Sequence, residues 1–243
     1  MNTTFSRQLS EAERQKAMDD FAAQVRAINA ESKAAVEAGA PALQRLAKCF
    51  AGAPADAGGQ ARLLRPLLCN LYRGCGTSPF RHFDYLTADN RDDFAAVALA
   101  LGHEGFPDRR IREEIKAVAG EAAFDWFCEP QPEDATGELW DAGTTSDEDG
   151  GIEALARIAD AVVCEYSGQA FKIRAILWAL CDGGEADLSD LMALDWKLRK
   201  DLCTVLRTIS ISTEDMEIVL GAAAERKHRP YEDGYDWLLE AQS

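Results

Sequence analysis

The chain has 243 residues, of which 47% are hydrophobic, 8% aromatic and 28% charged, and its 42 Asp and Glu against 26 Lys and Arg leave a formal net charge of −16. That apolar fraction suits a packed core and excludes wholesale disorder. The acidity argues against direct binding of DNA or RNA, whose affinity comes largely from Lys and Arg displacing counterions. No apolar run approaches the about 20 residues needed to cross a bilayer. Met1-Asn2-Thr3-Thr4-Phe5-Ser6-Arg7 also lacks a basic start followed by an apolar block, so a soluble cytoplasmic protein without a membrane partner is expected.

At the start of the chain, Ser10-x-x-Glu13 is a capping box. Met18, Phe21, Val25 and Ile28 follow as a stripe of roughly helical period, which predicts an N-terminal amphipathic helix within residues 1–40. The helix should run to about Ala38, before Gly39-Ala40-Pro41 ends it. A monomer hides such a stripe where it can, so packing on the next unit is expected. Self-association into a homo-oligomer, or binding of a partner, is the alternative.

From residue 41 an internal repeat organises the chain. Gly59-Gln60-Ala61-Arg62-Leu63-Leu64-Arg65 matches Gly168-Gln169-Ala170-Phe171-Lys172-Ile173-Arg174, and Leu43-Gln44-Arg45-Leu46-Ala47 matches Leu155-Ala156-Arg157-Ile158-Ala159. Further on, Arg91-Asp92-Asp93-Phe94 matches Arg199-Lys200-Asp201-Leu202, and Phe124-Asp125-Trp126 matches Tyr235-Asp236-Trp237. The blocks keep their order. Leu64, Leu67, Leu68 and Leu71, like Ile173, Ile176, Leu177 and Leu180, fall on one helical face. Gly74 and Gly183-Gly184 would end these helices in left-handed caps, and Thr213-Glu214-Asp215 can start a later one. Sustained apolar-polar alternation is absent apart from Ile209-Ser210-Ile211. The expected fold is therefore all-α: an N-terminal helix over 1–40, a helical repeat domain over 41–129, an acidic linker over 130–151 rich in Pro and Gly, and a second repeat domain over 152–243. Each repeat should hold about five helices.

The chemistry of common sites is missing. Gly-x-Ser-x-Gly, a phosphate loop and His-Glu-x-x-His do not occur. The seven cysteines include no C-x-x-C pair, and none of His82, His103 and His228 lies within a helical turn of one, so buried reduced thiols, no metal and no cofactor are expected. Gly102-His103-Glu104-Gly105 reads as an exposed loop rather than a general-base pair. Asp125-Trp126 and Asp236-Trp237, with Arg65 and Arg174, read as structural because they occur in both copies. Leu188 to Ile209 invites a helix-turn-helix reading, with Lys197, Arg199, Lys200 and Arg207 facing DNA, but Asp187, Asp190, Asp195 and Asp201 interleave with them.

Charge divides unevenly along the chain. Residues 129–149 hold 8 acids and no Lys or Arg, residues 150–243 hold 17 acids and 10 bases, and residues 41–128 balance at 11 and 11. An acidic linker and second repeat would be drawn toward a basic partner.

Gly168-Gln169, Arg174, Leu177, Gly183, Leu191, Leu194-Asp195 and Asp201-Leu202 together resemble the pattern of an uncharacterised family of small bacterial helical domains associated with mobile elements. The first repeat departs from it, with Leu86-Thr87 at the Leu-Asp step and Pro66 inside the helix. The resemblance implies a duplicated helical fold and no assigned activity. In charge, size and context the chain is also similar to anti-CRISPR inhibitors, which implies a non-enzymatic protein that engages a basic protein or nucleoprotein complex, such as a CRISPR effector subunit, and blocks or disassembles it. Asp147, Glu148, Asp149, Glu214, Asp215 and Glu217 would supply the charge, and Trp140 a buried anchor. A DNA-binding regulator acting through Arg199 and Lys200, and an enzyme with its site between the repeats, are the rival expectations.

Overall fold

The computed structural model describes residues 10–73, 78–129, 150–182, 184–208, 213–227 and 237–238. Nine α-helices stand among them: α1 (Glu11–Cys49), α2 (Gly59–Arg73), α3 (Ala88–Ala100), α4 (Arg109–Ala119), α5 (Glu121–Cys128), α6 (Gly151–Val162), α7 (Gly168–Asp182), α8 (Trp196–Arg207) and α9 (Thr213–Arg226). Short 3-10 helices occupy Phe80–Tyr85 and Leu188–Ala193. The fold is all-α; among the described residues strand is confined to the two-residue segments β1 (Ser78–Pro79) and β2 (Glu185–Ala186). Among the described residues no helix is long and apolar enough to cross a membrane. Gly74, Gly183 and Ile209-Ser210-Ile211 lie outside the described residues.

The N-terminal helix begins as its sequence dictates. Ser10 Oγ accepts from the Glu13 backbone N–H at 3.3 Å, and the Ser10 N–H donates to Glu13 Oε2 at 2.8 Å, which closes the capping box. The helix does not end at Gly39-Ala40-Pro41, however, and α1 runs through Pro41 to Cys49. Proline costs a helix a hydrogen bond and a ring clash. Here burial offsets that cost: Ala42, Leu43, Leu46 and Ala47 beyond the proline are fully buried, mainly against α3 and α4. Gly39 sits at the closest approach to α3, where an added Cβ would lie 2.4 Å from Ala100 Cβ. The glycine thus permits a helix crossing rather than ending a helix.

The order helix, helix, short strand, 3-10 helix, helix, helix is found again after residue 150, without a counterpart of α5 among the described helices, and matched sequence blocks make similar contacts. In the first half Arg45 forks onto Asp93, with Nε–Oδ2 at 2.9 Å and Nη2–Oδ1 at 2.6 Å. In the second half Arg157 forks onto Asp201, with Nε–Oδ1 at 3.1 Å and Nη2–Oδ1 at 2.6 Å. Gln60 Oε1 accepts from the Thr87 N–H at 3.0 Å, and Gln169 Oε1 from the Asp195 N–H at 2.7 Å, ahead of α3 and α8 respectively. The Arg65 guanidinium lies over Trp126 and that of Arg174 over Trp237, at 4.3 and 5.7 Å from the ring centres.

The halves meet face to face. β1 pairs antiparallel with β2, with Ser78 opposite Ala186, and α3 packs on α8. Asn70 on α2 reaches into the second half, where its Oδ1 accepts from the Leu188 N–H at 2.5 Å. One continuous apolar cluster runs from Ala42 through Leu238.

Candidate functional site

Several ionisable residues in the described part of the chain are built into the frame. Arg199 is 4% exposed, and its Nε donates to the Ala98 carbonyl at 3.1 Å and its Nη2 to that of Leu101 at 2.5 Å. It therefore satisfies the last carbonyls of α3, where a cation also meets the negative end of the helix dipole. Burial pulls its guanidinium pKa down. Lys200 is held by Glu31 at 3.0 Å and Arg207 by Asp92 at 3.0 Å. Of the four cations of the helix-turn-helix reading, Arg199, Lys200 and Arg207 thus face the first half of the same chain.

Arg65 and Arg174 are likewise structural. Arg65 donates to the Glu129 carbonyl at 2.6 Å, and Arg174 to those of Val162 and Glu165 at 2.5 and 2.7 Å. Cys181 and Cys203 are buried free thiols, each pushed up to about 12 chiefly by desolvation. A thiolate is the reactive form, so these two are inert. Among the described residues, no three His, Cys, Asp or Glu side chains stand as a metal-binding group.

His103 does acquire a neighbour the sequence could not show. The turn carrying it needs Gly102 and Gly105 at φ 81° and 86°, and it lines an open cleft of about 800 Å³ with Glu104, Asp108 and Arg109. Its Nδ1 lies 2.7 Å from Ser32 Oγ on α1, while Nε2 is buried without a hydrogen-bond partner. An orphaned buried N–H is costlier than an orphaned lone pair. The proton therefore belongs on Nδ1, donated to Ser32, an arrangement in which His103 cannot take a proton from that serine. Burial, and secondarily Arg199, hold the His103 pKa below its usual value.

Ser32 and Glu31 form a polar clamp at one level of α1. Trp196 Nε1 donates to Glu31 Oε2 at 2.8 Å, Lys200 pairs with the same oxygen, and the His103 ring meets Trp196 edge-on at 5.1 Å. One half supplies His103 and the other Trp196 and Lys200. N-terminal to this clamp, α1 leaves the body. The expected packing of its stripe on the first repeat is overturned: Met18 and Phe21 are 66% and 67% exposed, Val25 and Ile28 38% and 37%. Steps of three and four residues lead from these four through Ser32 to Ala35, Gly39, Ala42 and Leu46, the row that α3 covers lower down. That unbroken spacing was present in the sequence and would have shown that the stripe and the buried row are one seam.

Of the residues expected to bind a partner, Trp140, Asp147, Glu148 and Asp149 lie outside the described residues. Glu214, Asp215 and Glu217 are exposed on α9. Ile218, 63% exposed, stands beside them, one turn from Glu214 and next to Glu217. Nothing in the sequence sets it apart from Met216 and Leu220, of like character, which are buried.

A family of unknown function (DUF7673) matches residues 152–236, the span from α6 to just beyond α9. No curated protein and no solved structure matches the chain.

Proposed function

We propose that the chain is a non-catalytic protein-binding module whose acidic second half engages a basic nucleic-acid-binding protein or nucleoprotein complex, a CRISPR effector subunit being one such partner, and blocks or disassembles it. One observation carries the reading: the second half spends its cations internally. Arg174 and Arg199 are buried on carbonyls. Arg157, Lys172, Lys200, Arg207 and Arg226 are tied into ion pairs. Among the described residues, Lys197 and Lys227 stand outside these contacts, against the exposed carboxylates of α9. Each pair neutralises a carboxylate along with its cation, so the surplus of acids over bases is unchanged, and the exposed Glu214, Asp215 and Glu217 carry part of it to the surface. Ile218 within an acidic rim has the composition of a binding anchor, an apolar contact from which water is excluded by polar neighbours. The matched ion pairs and glutamine contacts also support reading the two halves as copies of one duplicated unit whose surfaces diverged while the core was kept.

The test is affinity capture from an extract of the source cells, comparing the wild-type chain with Glu214→Lys, Asp215→Lys and Glu217→Lys combined. The wild type is expected to enrich a basic nucleic-acid-binding protein in a salt-sensitive way, and the charge reversal to lose it. Capture that survives the reversal would sink the proposal, as would direct retention of the wild type on DNA at physiological salt.

A further inference from the structure

We infer that two copies of this chain pair through the exposed stripe of α1 as an antiparallel two-helix coiled coil, with Phe21 of each copy packed against Val25 of the other. The first support is continuity. Met18, Phe21, Val25 and Ile28 follow the alternating three- and four-residue steps of a coiled-coil seam, and the same row, continued past the clamp, is already covered by a helix of this chain. A second copy of α1 would take the place on the upper stretch that α3 takes on the lower. About 30 Å of helix lies between Glu11 and the clamp, at 1.5 Å per residue.

Charge selects the occupant. The positions flanking the seam are Ala17, Ala22, Gln24 and Asn29, whereas Asp19, Asp20, Arg26 and Lys33 occupy the outer positions. Between Ala17 and Asn29 a chain of net charge −16 thus keeps one face free of charge, and two copies can meet there without like-charge contact. Orientation follows from the ends of the stripe. A parallel pair would set Arg14 against Arg14 and Glu11 against Glu11 in the seam, and would bring two acidic bodies to the same end. The antiparallel pair centred between Phe21 and Val25 sets Met18 opposite Ile28 and Arg14 level with Ser32. It also holds the bodies apart by more than the Debye length of about 8 Å at physiological salt. The result is a closed, two-fold symmetric contact in which one patch serves both copies.

The experiment is sedimentation velocity with light scattering on the full chain over a wide concentration series. The wild type is expected to approach twice its 26.6 kDa mass. Met18→Glu with Phe21→Glu should stay monomeric with an unchanged far-ultraviolet circular dichroism spectrum, because both side chains are exposed. Asp19→Lys, on the outer face, should still dimerise. Ala22→Cys should be cross-linked between the two copies of position 22 by a short bis-maleimide, mapped by mass spectrometry, since antiparallel pairing puts these flanking positions on the same side of the seam, too far apart for a direct disulfide. A wild type that is monomeric throughout, or a dimer that survives the double Glu variant, overturns the inference. A dimer lacking the 22–22 linkage overturns the antiparallel register.

Discussion

The two stretches of α1 carry one apolar row and meet opposite fates. From Ala35 to Ala47 the row is buried, and from Met18 to Ile28 it is exposed. Both stretches are helical with the same spacing, so local sequence does not separate them. What separates them is whether another helix lies alongside: α3 ends at Ala100, level with Gly39, and nothing else among the described residues continues beside α1 past the clamp at Glu31 and Ser32. An amphipathic stripe therefore reports that a partner surface is needed, and not that the chain itself provides it.

Substitutions along this row should separate its two stretches by stability. The largest effect is expected at Leu46→Ala, which removes a fully buried side chain and should cost about 2–5 kcal/mol in a urea titration. Arg199→Ala should follow, at about 2–3 kcal/mol by the same measurement, because it strips charge-assisted hydrogen bonds from the buried end of α3. Gly39→Ala gains helix propensity but forces α1 and α3 apart, so a net loss of about 1–3 kcal/mol is expected. At the boundary, Ser32→Ala with Glu31→Gln should show itself chiefly as faster amide hydrogen exchange between Gln24 and Lys33. At the small end, Phe21→Ala should change unfolding by less than about 0.5 kcal/mol, provided the protein is dilute enough to be monomeric.

Acid should act on the body rather than on the arm. His82 and His103 both have pKa values lowered chiefly by burial, so the folded state keeps them neutral while the unfolded chain takes up protons near 6.5. Their contribution is complete above that pH and is lost as the pH falls below it toward the folded values. The urea midpoint should therefore drop between pH 7.5 and 5.5. The carboxylates with lowered pKa, Glu13 and Glu31, keep their contribution above about 4.5 and lose it only as the pH falls below that value. A His103→Asn variant should show a smaller drop, and an equal drop would refute this assignment.

Much of the architecture was legible because helical periodicity and matched blocks are local signals. The faces of Leu64, Leu67, Leu68 and Leu71 and of Ile173, Ile176 and Leu177 are buried as their spacing required. Arg45 and Asp93 stood in two separately matched blocks, but only folding brought them together, and likewise for Arg157 and Asp201. Pro41 misled because helix-breaking is an intrinsic cost, and the burial of Leu43 and Leu46 that offsets it is set by contacts distant in sequence. Arg199 misled for the same reason. Its charge reads as surface until α3 places two carbonyls within reach.

The sequence by itself determined that this protein is helical, that its excess charge lies after residue 128, and that its two halves share a pattern of core residues. Those properties rest on composition and on periods of three and four residues, which no distant contact alters. Only the tertiary structure decided which charges were hidden and which apolar row was left open. A charge disappears from the surface when carbonyls from another segment surround it, as at Arg199, and a stripe stays exposed when no other segment is long enough to cover it, as at Phe21. Both outcomes depend on pairings between residues far apart in the chain.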